Sequence, residues 1–298
     1  VDFSLTPDQE LLQETARRLL ERECPTSLVR AHIEDPSVYA PLWRHLSDYT
    51  ALAMGPCTDC CLFLEQTGYV AAPGPFLATV LFGALTGEET SGTVVTDPYT
   101  LELDRVERIA YFTDAGVEVI DAADVESTFV ATLDFSRRVF EVDLPIGDAP
   151  LEWQDRAYAC IAAEMVGVSR RIFDMALAYA KERIQFDVPI GSFQAIQHKL
   201  ADMSLVLERA TAAVHYAAMT VDADDGDRAR ACHVAKAAAG EAARRILKDG
   251  AQIHGGIGYT WEHDLHLFLR RATADEYILG TTGWHLDRLA DLVIGRDL

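Results

Sequence analysis

Two hydrophobic patterns of helical period meet across residues 179–203 and organise the second half of the chain. Ile172, Ala176, Tyr179 and Arg183 recur at i, i+4, i+7 and i+11, one face of a helix that ends in a charge. Ile196, Leu200, Met203, Leu207, Ala210 and Val214 then step 4-3-4-3-4, the seam of a helical bundle. Between them, Val188-Pro189-Ile190-Gly191 stops the first helix, because proline biases its predecessor away from helix and glycine permits the turn. Ser192 is the expected N-cap of the second. The spacing predicts helices over about 148–185 and 192–221. A third carries Val234, Ala238, Ala242, Ile246 and Ile253 and ends at Gly255-Gly256, and a fourth turns Leu265, Phe268, Leu269 and Ala272 inward. Residues 149–298 therefore read as a helical bundle.

The first part of the chain reads differently in two stages. Residues 1–90 are helical in pattern. Thr6-Pro7-Asp8-Gln9 is a capping box with proline at the first helical position, followed by the stripe Leu11, Leu12, Ala16, Leu19 and Leu20. Leu42, Trp43 and Leu46 mark a short helix, and Pro73 and Pro75 kink the chain between two further ones. Residues 91–148 switch to short β-type runs at 93–96, 108–112, 117–120, 129–132 and 139–142, separated by turn residues. They predict a small, mostly antiparallel sheet.

Composition narrows the partners. At 298 residues, 49% hydrophobic and 24% charged, the chain has the make-up of a globular protein. A formal net charge of −21 argues against nucleic acid or an anionic membrane as partner. No run of about 18 apolar residues suggests a membrane span, and the first twenty residues lack the apolar core of a signal peptide, so the cytoplasm is the expected location. Cys57, Cys60 and Cys61 form a CxxCC without a second pair, which points to free thiols in a reducing compartment and predicts no metal.

Two residues are unusual for a plain bundle. Arg183 continues an apolar stripe, and Gln194 sits in the first turn of the next helix. A guanidinium grips a phosphate through two parallel hydrogen bonds, and a helix N-terminus favours anions. On periodicity alone, an arginine snorkelling at a helix end beside a surface glutamine accounts for both. The glycines of Gln252-Ile-His-Gly255-Gly256-Ile-Gly258 would let a ligand approach backbone without a Cβ in the way, and a helix cap with a tight turn explains them equally. GGxG is not a dinucleotide fingerprint here, since a helix and not a strand precedes it.

The whole pattern, YxxxRxxF followed by P-I-x-x-F-Q and L-A-D-M, resembles the C-terminal domain of the acyl-CoA dehydrogenase family. The Q-x-x-G-G-x-G-Y run and the A-P-G-P-F-L phrase at 72–77 resemble other segments of the same family. The resemblance implies a mainly α fold with a small β-domain: an N-terminal helical domain (1–90), a shortened antiparallel β-domain (91–148) and a C-terminal four-helix bundle (149–298). It implies FAD as cofactor, with Arg183, Phe186, Gln194, Gln252, Gly255 and Gly256 at positions that contact its ADP part across a subunit boundary. Asp187 stands where most members have glycine. The flavin-facing phrases of the β-domain are missing, with Thr96-Asp97-Pro98 a remnant of one. Any site for FAD or CoA in so acidic a chain would need local cations such as Arg183, Arg270 and Arg271.

The resemblance also bears on mechanism. The family's α,β-desaturation of an acyl-CoA thioester needs a glutamate to take the α-proton. Leu279 and Ala157 occupy its two known positions, and neither can accept a proton. Glu276 is the alternative base, with Asp155 and Glu164 near in sequence but turned elsewhere on their helix. The family's CoA-contacting arginine falls at Tyr158. The implied function is the base-less subunit of an α2β2 heteromer, as in bacterial steroid and cholesterol breakdown, with a homologous catalytic subunit as partner that binds most of the acyl-CoA. The alternatives are an active homo-oligomer with a displaced base, and a non-enzymatic assembly scaffold.

Overall fold

The computed structural model describes residues 4–295. The ends of the expected 1–90 and 149–298 segments, residues 1–3 and 296–298, lie outside them. Five α-helices come first: α1 (Pro7–Glu23), α2 (Thr26–Glu34), α3 (Ala40–Leu46), α4 (Cys57–Tyr69) and α5 (Phe76–Thr86). The Thr6 hydroxyl accepts from the Gln9 amide while the Gln9 side chain accepts from the Thr6 amide, closing the capping box, although Leu11 lies exposed. Nearly all of α4 is buried, so it is a core element and not an amphipathic surface helix.

Six strands follow: β1 (Gly92–Val94), β2 (Tyr99–Leu101), β3 (Arg108–Thr113), β4 (Gly116–Asp121), β5 (Ser127–Val130) and β6 (Val139–Val142). They form two three-stranded sheets and not one, ordered β1-β3-β4 and β2-β6-β5. The pairing is antiparallel except for β1 against β3, which is parallel. The division follows from β2, which the sequence pattern did not reveal: it pairs with β6 and draws that strand away from the first sheet.

The bundle is built from α6 (Leu151–Glu182), α7 (Gln194–Asp222) and α8 (Arg228–His254), which pack on one another, with α9 (Leu265–Asp275) against α6 and α10 (Thr282–Ile294) against α8. The 4-3 stripe on α7 faces the core as expected, with Met203, Leu207, Ala210 and Val214 buried. On α8, Ala238, Ala242, Ile246 and Ile253 face inward but Val234 does not. Helix α4 packs along α6 closely enough that glycine is required on both sides. A Cβ on Gly68 would collide with the Glu164 carbonyl, and one on Gly167 with the Glu65 carbonyl. Among the described residues, no helix is long and apolar enough to cross a membrane.

Candidate functional site

One end of the bundle gathers the residues of both glycine- and arginine-bearing motifs. Helix α6 stops at Glu182 because Arg183 turns extended, at φ −72° and ψ 120°. The chain then makes a two-residue hairpin, β7 (Ile184–Gln185) against β8 (Val188–Pro189). Its turn residues Phe186 and Asp187 have φ of 54° and 64°, the left-handed pair of a type I′ turn. That conformation favours glycine, and aspartate is among the residues that tolerate it. Ser192 is not the N-cap of α7. It ends a 3₁₀ turn over Ile190–Ser192 and donates its hydroxyl to the Pro189 carbonyl, while Phe193 holds the cap position without a side-chain bond.

Arg183, Phe186 and Gln194 are all exposed, Phe186 to 87%. No group of the described chain pairs with the Arg183 guanidinium. Four residues back, Tyr179 stacks on His254 with ring centroids 4.6 Å apart. His254 is buried, donates through Nδ1 to the Gly250 carbonyl at 2.8 Å and packs edge-on against His263. Lys199 reaches Asp249 at 2.7 Å and ties α7 to the same end of α8. Gln252, Gly255 and Gly256 therefore lie at the end of α8 that is tied to α6 and α7, all exposed, with open space where either glycine would carry a Cβ. Gly255 itself has φ 65°, which glycine adopts without strain.

A second feature lies between the strands and the bundle. A cavity of about 400 Å³ is lined by Leu81, Val94, Thr96, Val130, Trp153 and Leu279 among others. A second of about 330 Å³ adjoins it, sharing Thr96, Asp97, Trp153 and Leu279. Leu279 has φ 56° and sits on the wall common to both. Its loop is held from below by Lys236, which is fully buried and donates to the carbonyls of Gly280 (2.9 Å), Glu276 (3.3 Å) and Asp275 (3.4 Å). Burial pushes the Lys236 ammonium down to about 8, against the pull of the Glu276 and Asp275 carboxylates. The Leu279 carbonyl accepts from His285 Nε2 at 3.0 Å, which fixes the tautomer and leaves His285 Nδ1 to accept from His233 Nδ1 at 2.8 Å.

None of the alternative bases points into this space. Glu276 accepts from the Thr282 amide at 2.9 Å and its hydroxyl at 3.1 Å, across the start of α10. Ala157 is completely buried in the core. Asp155 pairs with Arg228 at 3.0 Å. Glu164 binds Arg137 at 2.8 Å and Arg271 at 2.9 Å. The carboxylates that do line the cavities are Asp97, which accepts from the Tyr99 amide, Asp134, which is bound to Arg271 and Ser136, and Asp148 at the mouth of the smaller one. Tyr158 lines that smaller cavity too, its hydroxyl donated to Gln154.

Arg271 corrects an expectation. It is not a cation available to a phosphate but is wholly buried, bonded to Asp134, Glu164, Ser136 and the Ala72 carbonyl. Arg137 completes the cluster by bridging Glu164 and Asp275 at 2.6–2.8 Å. Three carboxyl groups face two guanidiniums there. Burial, resisted by Arg137, pushes Asp275 up to about 7, and its Oδ2 has no partner among the described residues. Arg270 remains at the surface, its guanidinium over the Phe135 ring at 4.5 Å.

Comparison with known proteins agrees with this architecture. The family model for the acyl-CoA dehydrogenase C-terminal domain matches residues 155–294. Acyl-CoA dehydrogenase IpdE2 of Mycolicibacterium smegmatis is 32% identical over 96% of this chain and 98% of its own length. Acyl-CoA dehydrogenase FadE34 of Mycobacterium tuberculosis is 45% identical over 47% of this chain, a match that spans 20% of FadE34. Among solved structures, the ChsE4-ChsE5 complex from Mycobacterium tuberculosis superposes with a TM-score of 0.84 at 22% identity, covering both chains fully. A variant of the Tcur3481-Tcur3483 steroid ACAD gives the same score and identity over 97% of this chain and 98% of that one. With a full-length relative at this identity and the same three-part fold, the chain belongs to the acyl-CoA dehydrogenase family.

Proposed function

We propose that the chain is a subunit of a heteromeric acyl-CoA dehydrogenase and brings no base of its own. A homologous partner in an α2β2 assembly supplies the catalytic glutamate, most of the flavin pocket and most of the acyl-CoA contacts. The observation that carries this reading is Leu279: the side chain on the wall of both cavities cannot accept a proton, and Glu276 is engaged with Thr282. A weakly acidic α-proton requires a positioned base in a water-poor site; Leu279 is none, and the carboxylates lining the cavities are Asp97, held by the Tyr99 amide, Asp134, bound to Arg271, and the exposed Asp148.

The family is one of FAD flavoproteins, and the exposed end of the bundle suits the ADP half of that cofactor. The unpartnered Arg183 guanidinium is free to bind a phosphate in two-point fashion, and Gln194 begins α7, where the helix N-terminus favours negative charge. Phe186 stands beside Arg183. Gln252 and the open backbone at Gly255 and Gly256 admit the same ligand from the second side. When bound, FAD supplies the acceptor for the hydride that leaves the β-carbon. This chain's share is to bind and orient.

We further propose a steroid-derived acyl-CoA as substrate and the cytoplasm as location. The apolar lining of the larger cavity supports the first, together with likeness to a protein described as a steroid ACAD. Six unpaired cysteines support the second.

Flavin content decides the matter. Expressed alone, the chain is expected to hold little FAD; co-expressed with a full-length homologue from its genomic neighbourhood, the pair is expected to be yellow and active. A stoichiometrically flavinated, active homo-oligomer would overturn the proposal. A pair that assembles but carries no flavin would leave only the scaffold.

A further inference from the structure

Four of the six cysteines converge where α4 crosses α6. Cys57, Cys60 and Cys61 lie at i, i+3 and i+4 in the first turns of α4, on one face, and Cys160 meets them from α6. The Cys57 and Cys61 sulfurs are 3.9 Å apart, and those of Cys60 and Cys160 are 3.8 Å apart. The sulfurs of Cys57, Cys61 and Cys160 all lie within 4.8 Å of one another, while Cys60 stands outside that group with its sulfur against that of Cys160. Four thiolates around Zn²⁺ at about 2.3 Å place their sulfurs about 3.8 Å apart along each edge of the tetrahedron. All four side chains are at most 1% exposed, so the group is closed to water.

Surrounding charge suits such an ion. Arg156 stands one turn before Cys160 on α6 and donates through Nη2 to the carbonyls of Leu52 and Gly55, while its buried Nε has no partner among the described residues. The start of α4 is itself capped by the Asp222 carboxylate, which accepts from the Cys57 and Thr58 amides, so Arg156 is the cation that faces the thiols. Simple packing of sulfur in a core accounts for pairs in contact. It does not require four cysteines from two segments a hundred residues apart, beside a guanidinium whose Nε has no partner among the described residues.

We propose that Cys57, Cys61 and Cys160, joined by Cys60 once its thiol turns in from beside Cys160, form a structural zinc site that clamps α4 to α6. Binding of Zn²⁺ releases four thiol protons to solvent and leaves a centre of net charge −2, half of it balanced by Arg156. The fourth ligand, distant in sequence, is what an isolated CxxCC lacks. This site is independent of the flavin and of the partner.

Metal analysis of the purified full chain, expressed in zinc-supplemented medium and exchanged into metal-free buffer, tests the proposal. The expected result is one zinc per chain, released in step with titration of four thiols by a mercurial. Cys160→Ser is expected to lower zinc at least tenfold, whereas Cys24→Ala and Cys232→Ala leave it unchanged. A wild-type chain with less than a tenth of an equivalent of zinc would overturn it. So would a Cys60–Cys160 disulfide found by mass spectrometry of the protein purified without reductant. Because the decisive measurement is on the wild type, a variant that fails to fold does not rescue the idea.

Discussion

Glu276 and Thr282 hold each other across the turn that carries Leu279: one carboxylate accepts both the amide and the hydroxyl of the threonine, at 2.9 and 3.1 Å. The acid nearest the family's base position is thereby committed to starting α10. Glu276→Gln is expected to leave dehydrogenation by the assembled heteromer within about twofold and to cost about 1 kcal/mol of stability through the weakened cap. Steady-state turnover of a steroid-type acyl-CoA and a melting curve read both numbers. Loss of activity by several orders of magnitude, with flavin and assembly intact, would make Glu276 the base.

Leu279→Glu restores a carboxylate to the wall shared by the two cavities. The chain alone is expected to remain inactive, because on the proposed reading the partner supplies most of the flavin pocket. An assay of the purified variant with added FAD would refute this on finding turnover.

Arg183→Ala removes an exposed side chain with no partner in the chain, so melting temperature should not change. FAD affinity of the heteromer should fall by about 1.5–3 kcal/mol, the worth of a charge-assisted contact. Equilibrium dialysis of flavin gives the answer. Unchanged retention would mean that Arg183 only snorkels at the helix end.

Stability should depend on pH through the His233–His285 pair. Burial pushes His233 down to about 4 and His285 down to about 3, so both are neutral in the folded chain while the unfolded chain takes up protons near pH 6.5. Their contribution is complete above pH 6.5 and is lost as pH falls, by about 2 kcal/mol each between pH 6.5 and 5. Asp275, raised to about 7, runs the other way and offsets part of this slope. His285→Gln can keep a donor for the Leu279 carbonyl but does not titrate. Urea unfolding at pH 5, 5.75 and 6.5 should show its slope reduced by about one proton. An unchanged slope would refute the assignment.

How much of this was legible beforehand depended on whether a signal was local. The Arg183 and Gly255-Gly256 motifs are short and periodic, and both helices end where proline and glycine said they would, within a few residues. The hairpin between them was not read, because Phe186 and Asp187 carry no glycine to announce a turn at positive φ. Strand β2 gives no signal because three residues behind Asp97-Pro98 make no periodic run, and α10 gives little because the side chains it buries are Thr282 and His285 and not an apolar stripe. The buried ionic cluster joins Asp134, Arg137, Glu164, Arg271 and Asp275 over more than a hundred residues, a tertiary fact. Its one available sign was Arg271 on the apolar face of the fourth helix. Cys160, alone in its helix, could not be matched to Cys57, Cys60 and Cys61 by spacing.

The paired glycines Gly68 and Gly167 give the molecule a mechanical asymmetry. Backbone meets backbone at those two points, so the seam between α4 and α6 cannot take up even a methyl group there. The strand region is fastened differently, through Arg137, Asp134 and Ser136 gripping ions on α6 and α9. The strand side of the cavities is thus held by buried ions together with the Phe112–Trp153 contact, whereas the N-terminal helices meet the bundle backbone to backbone.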